Sequence, residues 1–203
     1  MLWYTNTMGF VITNVYIFML ALVLAVLEIQ IEGADGWAKK LPTWRPPESH
    51  WFAHWYQKLM SGKELTGYHV AMFDFVFLIF HFPYVWGLPL TLVSWLHTLS
   101  FYLMFIVVWD FLWFVLNPHH PISRFATTEN PVHKKWFGPL PVDYYGSTVL
   151  SFLVLLPLWM QDTYSVAQWW VENMTLFIVQ TLVVIWFSLK VLKIDTWVLK
   201  ENK

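Results

Sequence analysis

The chain alternates between long apolar stretches and short polar segments. Five of the apolar stretches are long enough, or nearly long enough, to cross a hydrocarbon layer of about 30 Å as α-helices. These stretches lie near residues 8–29, 67–87, 91–117, 144–161 and 174–192. The apolar block from Gly67 to Pro118 is too long for one span, and a turn signal at Pro83, Gly87 and Pro89 divides it. The pattern therefore predicts an all-α, polytopic membrane bundle of five transmembrane helices.

Composition supports a membrane protein and excludes several other classes. Apolar residues make up 58% of the 203 residues and charged residues 12%, roughly half the charged share of ordinary soluble domains. A water-soluble fold of this size cannot bury that much apolar surface. The net charge of −1 gives no basic patch for nucleic acid, and the absence of Cys excludes disulfides and thiolate metal sites. We expect a single integral membrane domain over residues 1–203, in direct contact with the lipid bilayer.

The positions of the basic residues predict the orientation of the bundle. All twelve Lys and Arg residues lie in the segments 30–66, 118–143 and 190–203. With five spans, these three segments lie on one side of the membrane, and the positive-inside rule makes that side cytoplasmic. We therefore predict an N-out, C-in topology.

The first cytoplasmic loop contains a short amphipathic helix near residues 50–60. Its aromatic face and its basic face each repeat at four-residue spacing, which is typical of a helix lying in the headgroup plane. These faces carry Trp51, Trp55 and Leu59, and His50, His54 and Lys58, respectively.

Three acidic residues fall within or at the ends of the predicted spans, where a charge is costly unless it is paired or faces a cavity. Asp74 lies seven residues from Gly67, and Asp110 lies seven residues before Asn117 on a helix of opposite direction. Both are therefore about 10 Å from the cytoplasmic end of their helices. Glu28 lies at the cytoplasmic end of the first span. We expect Glu28, Asp74 and Asp110 to form a carboxylate cluster in the cytoplasmic leaflet.

Histidines near this layer extend the predicted site. His69 and His81 lie on the same span as Asp74, and His133 lies in the loop that follows the third span. Carboxylates and imidazoles without thiols suit Fe, Mn, Zn or Mg. The first hypothesis is thus a metal-binding membrane protein, and its more specific form is a metal-dependent enzyme that acts on a lipid or another apolar substrate. In this hypothesis Glu28, Asp74 and Asp110 are catalytic carboxylates and metal ligands, and the three histidines are further ligands or proton carriers.

Two alternatives remain open at this point. His81 and His97 fall at about the same outer-leaflet depth on neighbouring spans, an arrangement that can ligate a haem or a chlorophyll-type pigment. The other alternative is a non-catalytic accessory subunit of a larger membrane complex, in which the polar groups pin helices and the aromatic faces bind other membrane subunits.

Three segments carry a family resemblance. They are GWAKKLPTWR at residues 36–45, TGYH at residues 66–69 and DFLWFVLNP at residues 110–118. They resemble segments of a family of small multi-pass prokaryotic membrane proteins of undefined function. The resemblance covers most of residues 28–145 and implies the five-span architecture, without implying an activity.

Overall fold

The computed structural model describes residues 7–47, 49–60, 62–120, 122, 125, 130, 132–160 and 162–197. The described part is mostly helical, with one two-stranded hairpin. Its helices are α1 (Thr7–Glu32), α2 (Trp51–Leu59), α3 (Gly67–Val85), α4 (Leu92–Leu116), α5 (Val142–Leu153), α6 (Leu156–Trp159) and α7 (Thr163–Trp186). A π-helical segment, Phe187–Leu192, continues α7, and a 3₁₀ turn, Ile194–Thr196, follows it. In the hairpin, β1 (Trp136–Phe137) pairs antiparallel with β2 (Leu140–Pro141).

Five helical stretches are long and apolar enough to cross a membrane, as the sequence predicts. The fourth is interrupted between α5 and α6, where Pro157 follows the break. A proline near this position has no N–H for the helical ladder, so α6 begins as a new turn. The fifth begins at Thr163, eleven residues before the predicted start near 174. Polar residues in this region interrupt the hydropathy pattern of the span. One of them is Asn173, whose side chain is fully buried in the folded chain.

α4 is the central helix of the bundle. It packs against α1, α3, α5 and α7, and it buries side chains around its whole circumference. Because its sequence is apolar on all sides, α4 can pack against other helices on every face. α1 and α7 are additionally joined by a buried polar contact, in which Asn14 Nδ2 donates to Asn173 Oδ1 at 2.9 Å. Gln180 Nε2 donates to Asn14 Oδ1 at 2.7 Å.

The segment between α1 and α3 folds back over the ends of both helices. Trp37 and Ala38 have positive φ angles of 48° and 50°, a conformation that non-glycine residues seldom adopt. At the start of α3, the Gly67 N–H donates to the Trp44 carbonyl at 3.0 Å. The Trp44 ring lies where a Cβ on Gly67 would be, so only glycine fits there. This packing fixes the first turn of α3 beneath the loop.

Candidate metal centre

Glu28, Glu32 and His69 meet where the end of α1 faces the first turn of α3. One ligand atom from each residue lies within 4.8 Å of the others. His69 Nε2 is 3.4 Å from Glu32 Oε1 and 4.0 Å from Glu28 Oε1. The side chains of Glu32 and His69 are each 3% exposed, and that of Glu28 is 12% exposed. The structure therefore contains a buried Glu/His cluster with the size of a mononuclear metal site.

The His69 ring is held on several sides. Its Nδ1 lies 2.7 Å from Thr66 Oγ1, while the Thr66 hydroxyl also accepts the backbone N–H of His69 as the helix cap. Trp37 stacks on the ring at a centroid distance of 3.8 Å and an interplanar angle of 16°. Tyr68 contacts it edge-on at 5.1 Å. When Nδ1–H donates to Thr66, Nε2 presents its lone pair to the two carboxylates.

The strained loop holds the second carboxylate. Glu32 Oε1 accepts the backbone N–H of Ala38 at 2.5 Å, a contact that needs the left-handed turn at residues 37 and 38. Strain of this kind persists only where the surrounding structure over-determines it, and it is common at functional sites. The loop thus orients Glu32, and its Trp37 ring covers His69.

Several buried polar atoms around the cluster have no hydrogen-bond partner among the described residues. They are His69 Nε2, the Tyr68 hydroxyl and Trp109 Nε1. The Trp109 indole N–H faces Glu28 at more than hydrogen-bond distance. No Lys or Arg in the described part of the chain forms an ion pair with Glu28 or Glu32. Buried groups that remain unsatisfied are costly, so the arrangement leaves room in hydrogen bonding and charge for a metal ion, which the cluster could hold.

Asp110 belongs to a neighbouring network rather than to this cluster. Its Oδ2 accepts from His133 Nε2 at 2.9 Å and from the Tyr144 hydroxyl. His133 Nδ1 donates to Asp143 Oδ2 at 3.1 Å, and Lys63 Nζ donates to the same oxygen at 2.9 Å. Both ring nitrogens of His133 therefore contact carboxylates of this network, and neither contacts Glu28, Glu32 or His69.

The groups around His133 also shift the pKa of its imidazole ring. Burial alone lowers the pKa of this imidazole, but the Asp110 and Asp143 carboxylates outweigh burial and raise the pKa above its ordinary value. Lys63 connects the network to the cluster, since its Nζ lies 4.7 Å from the Trp37 ring that covers His69. The network attaches the loop after α4 to the bundle beside the Glu/His cluster.

Asp74 joins neither Glu28 nor Asp110, and those two lie in separate groups of contacts, so the three carboxylates do not form the expected single cluster. Its side chain is exposed on the surface of α3. The depth along the helix matches, but Asp74 lies five residues after His69, which corresponds to a rotation of about 140° around the helix axis. The side of α3 that carries His69 into the cluster therefore directs Asp74 away from it.

The His81 and His97 pair does not form a ligand set. His81 Nδ1 donates to the Phe77 carbonyl at 2.8 Å, and its Nε2 accepts from Trp95 Nε1 at 3.2 Å, so its lone pair is already used. Trp95 and His97 are two residues apart, or about 200° around α4, and point to opposite sides of that helix. His81 packs with Trp95, and His97 contacts Trp169 instead. The geometry gives no haem or pigment site between them.

The cluster contains residues that the sequence hypothesis did not select. Glu32 follows Glu28 by one helical turn, so i, i+4 spacing was an available signal once α1 was extended by three residues. Thr66 and Tyr68 lie in the TGYH segment beside His69, but their contact with the cluster depends on how the loop folds.

Comparison with known proteins adds no function to this geometry. No family model, curated protein or solved structure matches the chain.

Proposed function

We propose that this protein is a multi-pass membrane protein that binds one divalent transition-metal ion through Glu28, Glu32 and His69. The observation that carries the proposal is the buried His69 Nε2, which faces two carboxylates without a hydrogen bond. The 3.4 Å separation from Glu32 Oε1 equals the edge of a tetrahedron with metal–ligand bonds of about 2.1 Å. A small rotation of Glu28 brings its oxygen to the same separation.

Charge balance favours a divalent ion at this position. When both carboxylates bind an ion in their ionised form, they place two negative charges in a buried position where no described basic residue forms an ion pair with them. Lys63 acts on Glu28 only at longer range. A bound divalent cation cancels this charge, whereas without it the two carboxylates repel each other at low dielectric. Mixed oxygen and imidazole donors suit Mn²⁺, Fe²⁺ or Zn²⁺.

The donor set is also suited to catalysis. Three protein ligands leave at least one coordination position open, which distinguishes catalytic from closed structural sites. A metal in such a position lowers the pKa of a bound water and polarises a substrate oxygen. Tyr68 and Trp109 present unpaired donors beside the carboxylates and would orient an oxygen there. We therefore propose a metal-dependent reaction on a lipid or another apolar substrate that reaches this end of the bundle.

Metal binding can be tested directly on the purified full-length chain in detergent. The protein is stripped with a chelator and titrated with Mn²⁺ or Zn²⁺, with elemental analysis and calorimetry as readouts. We expect about one ion per chain. Replacing a ligand in Glu32→Gln or His69→Gln weakens binding by more than the roughly 10–100-fold that loss of an outer-shell partner costs.

Matched controls separate ligand loss from general damage. His81→Gln changes a histidine on the same helix, and Glu172→Gln changes an exposed glutamate on α7. Both variants should bind metal like the wild type. Wild-type protein that retains well under one ion per chain, or ligand variants that bind as tightly as the controls, would overturn the proposal.

A further inference from the structure

A second cavity lies between the helices far from the Glu/His cluster. Its volume is about 160 Å³, and it is walled by α1, α3, α4 and α7. Ile17 of α1 lines it, and eleven residues separate Ile17 from Glu28, which places the two sites about 16 Å apart along the helix. The cavity is smaller than the 300–1,000 Å³ of typical drug-sized pockets, but one aromatic ring fits a space of about 150 Å³.

The most exposed residues that line the cavity lie on α1 and α3. Tyr16 of α1 and Phe82 of α3 are 65% and 52% exposed, so they form its rim. Phe80 and Phe101 form the deeper wall and are buried. Both helices are apolar enough to span a membrane, so we place this rim against lipid and expect an apolar ligand.

The cavity wall includes a histidine ring nitrogen, His97 Nε2, that accepts no hydrogen bond from the described residues. The Thr13 hydroxyl donates to the Gly9 carbonyl at 2.9 Å, and the Thr98 hydroxyl donates to the Ser94 carbonyl at 3.0 Å. His97 Nδ1 donates to the Val93 carbonyl at 2.8 Å, which leaves Nε2 as an acceptor. No described residue donates a hydrogen bond to this Nε2. A histidine within a span that faces a cavity marks a functional site.

We propose that this cavity binds a lipid-soluble phenol or quinol, with its ring between α1, α3 and α4 and its hydroxyl donating to His97 Nε2. The cavity volume accommodates one ring, and the opening between α1 and α3 leaves an apolar tail in the lipid. The acceptor at Nε2 requires a ligand that brings its own hydrogen-bond donor. This site is independent of the Glu/His cluster, and neither proposal depends on the other.

The test compares a phenol with its methyl ether, which lacks the hydroxyl donor. A 4-alkylphenol with a diazirine in its tail is photo-crosslinked to the full-length protein in nanodiscs, and labelled peptides are mapped by mass spectrometry. Labels should concentrate near Tyr16, Ile17 and Phe80. Unlabelled 4-pentylphenol should block labelling at concentrations about three- to twentyfold lower than 4-pentylanisole, because interhelical hydrogen bonds in membranes contribute roughly 0.6–1.7 kcal/mol.

Two ring substitutions complete the experiment. His97→Phe keeps an aromatic ring and removes the acceptor, so it should abolish the difference between the two competitors. His81→Phe should preserve the difference, because His81 already uses its Nε2 for Trp95. Equal competition by both compounds in the wild type would overturn the proposal without any variant. Labels spread evenly over the lipid-facing surface would overturn it as well.

Discussion

At the scale of single residues, Thr66 decides how His69 presents its ring. The hydroxyl contacts His69 Nδ1 at 2.7 Å and also caps the first turn of α3. Hydrogen bonds to the second ring nitrogen of a ligating histidine fix its tautomer and orientation. Thr66 is thus a positioning residue for the proposed metal ligand. Its contact with the ring affects metal binding, whereas its cap of α3 affects the stability of the fold.

We predict that Thr66→Val weakens metal binding by about 10–100-fold and lowers stability by about 1 kcal/mol through the lost cap. Thr66→Ser keeps both hydrogen bonds and should resemble the wild type. Thr91→Val removes the equivalent cap of α4, so it should lower stability without changing metal affinity. Calorimetric titration and thermal unfolding measure the two effects separately, and unchanged affinity in Thr66→Val would contradict the positioning role.

The residue scale also shows how far the sequence could predict the site. Glu28 and His69 could be predicted from the sequence, because an ionisable residue at the end of an apolar stretch stands out. Asp74 was misplaced because residue spacing gives depth along a helix, while the direction of a side chain depends on how neighbouring helices pack. Asp110 lies at the predicted end of the bundle, but its partner is a histidine that a distant loop brings in. Such long-range contacts leave no local pattern.

At the scale of elements, the loop after α4 is attached to the bundle by His133. The ring donates to Asp110 on α4 and to Asp143 on α5, and it is completely buried. Lys63 from the loop after α1 reaches the same carboxylates. The His133 ring therefore connects two loops to two helices, and this connection is stronger when the ring is protonated.

This attachment predicts a loss of stability at alkaline pH. The pKa of His133 is raised in the folded protein, so its stabilising contribution is complete below the unfolded pKa of about 6.5. It is lost as the pH rises through the folded pKa, at about 1.4 kcal/mol for each unit by which the two values differ. Thermal unfolding should show a midpoint that falls with rising pH in this window.

His133→Gln should be less stable than the wild type and should not show this fall of the midpoint. His54→Gln should still show it, because His54 is exposed on α2. A wild-type midpoint that is flat above pH 6.5 would contradict the assignment.

The element scale also explains which helices the sequence could locate. α1, α3 and α4 end close to their predicted limits because polar or turn-forming residues flank them. α7 starts at Thr163 because the Asp162 side chain caps it by accepting the Ser165 N–H, and it continues through Asn173 because that residue finds a partner in Asn14 across the bundle. A hydropathy pattern scores such a residue as polar, while the folded chain satisfies it internally.

At the scale of the whole molecule, the charge distribution and the proposed metal centre lie at the same end of the bundle. The loop that carries Lys39 and Lys40 also contributes Ala38 to the Glu/His cluster. The His97 cavity lies toward the other end, near the turn between α3 and α4. If the positive-inside rule assigns the basic end to the cytoplasm, metal reaches the cluster from the cytoplasm, while the apolar ligand enters from the outer leaflet.

The orientation can be measured with few changes because the chain contains no cysteine. We predict that Leu90→Cys in the turn after α3 and Tyr164→Cys at the start of α7 react with a membrane-impermeant maleimide on intact cells. Both positions are exposed, at 69% and 78%. Lys39→Cys, which is exposed in the loop after α1, should react only after the membrane is permeabilised. With five spans, Lys39 lies on one side of the membrane and Leu90 and Tyr164 lie on the other, so the variants on one side serve as controls for those on the other side. The reverse pattern would place the basic loops outside and would make the metal centre accessible from the external medium.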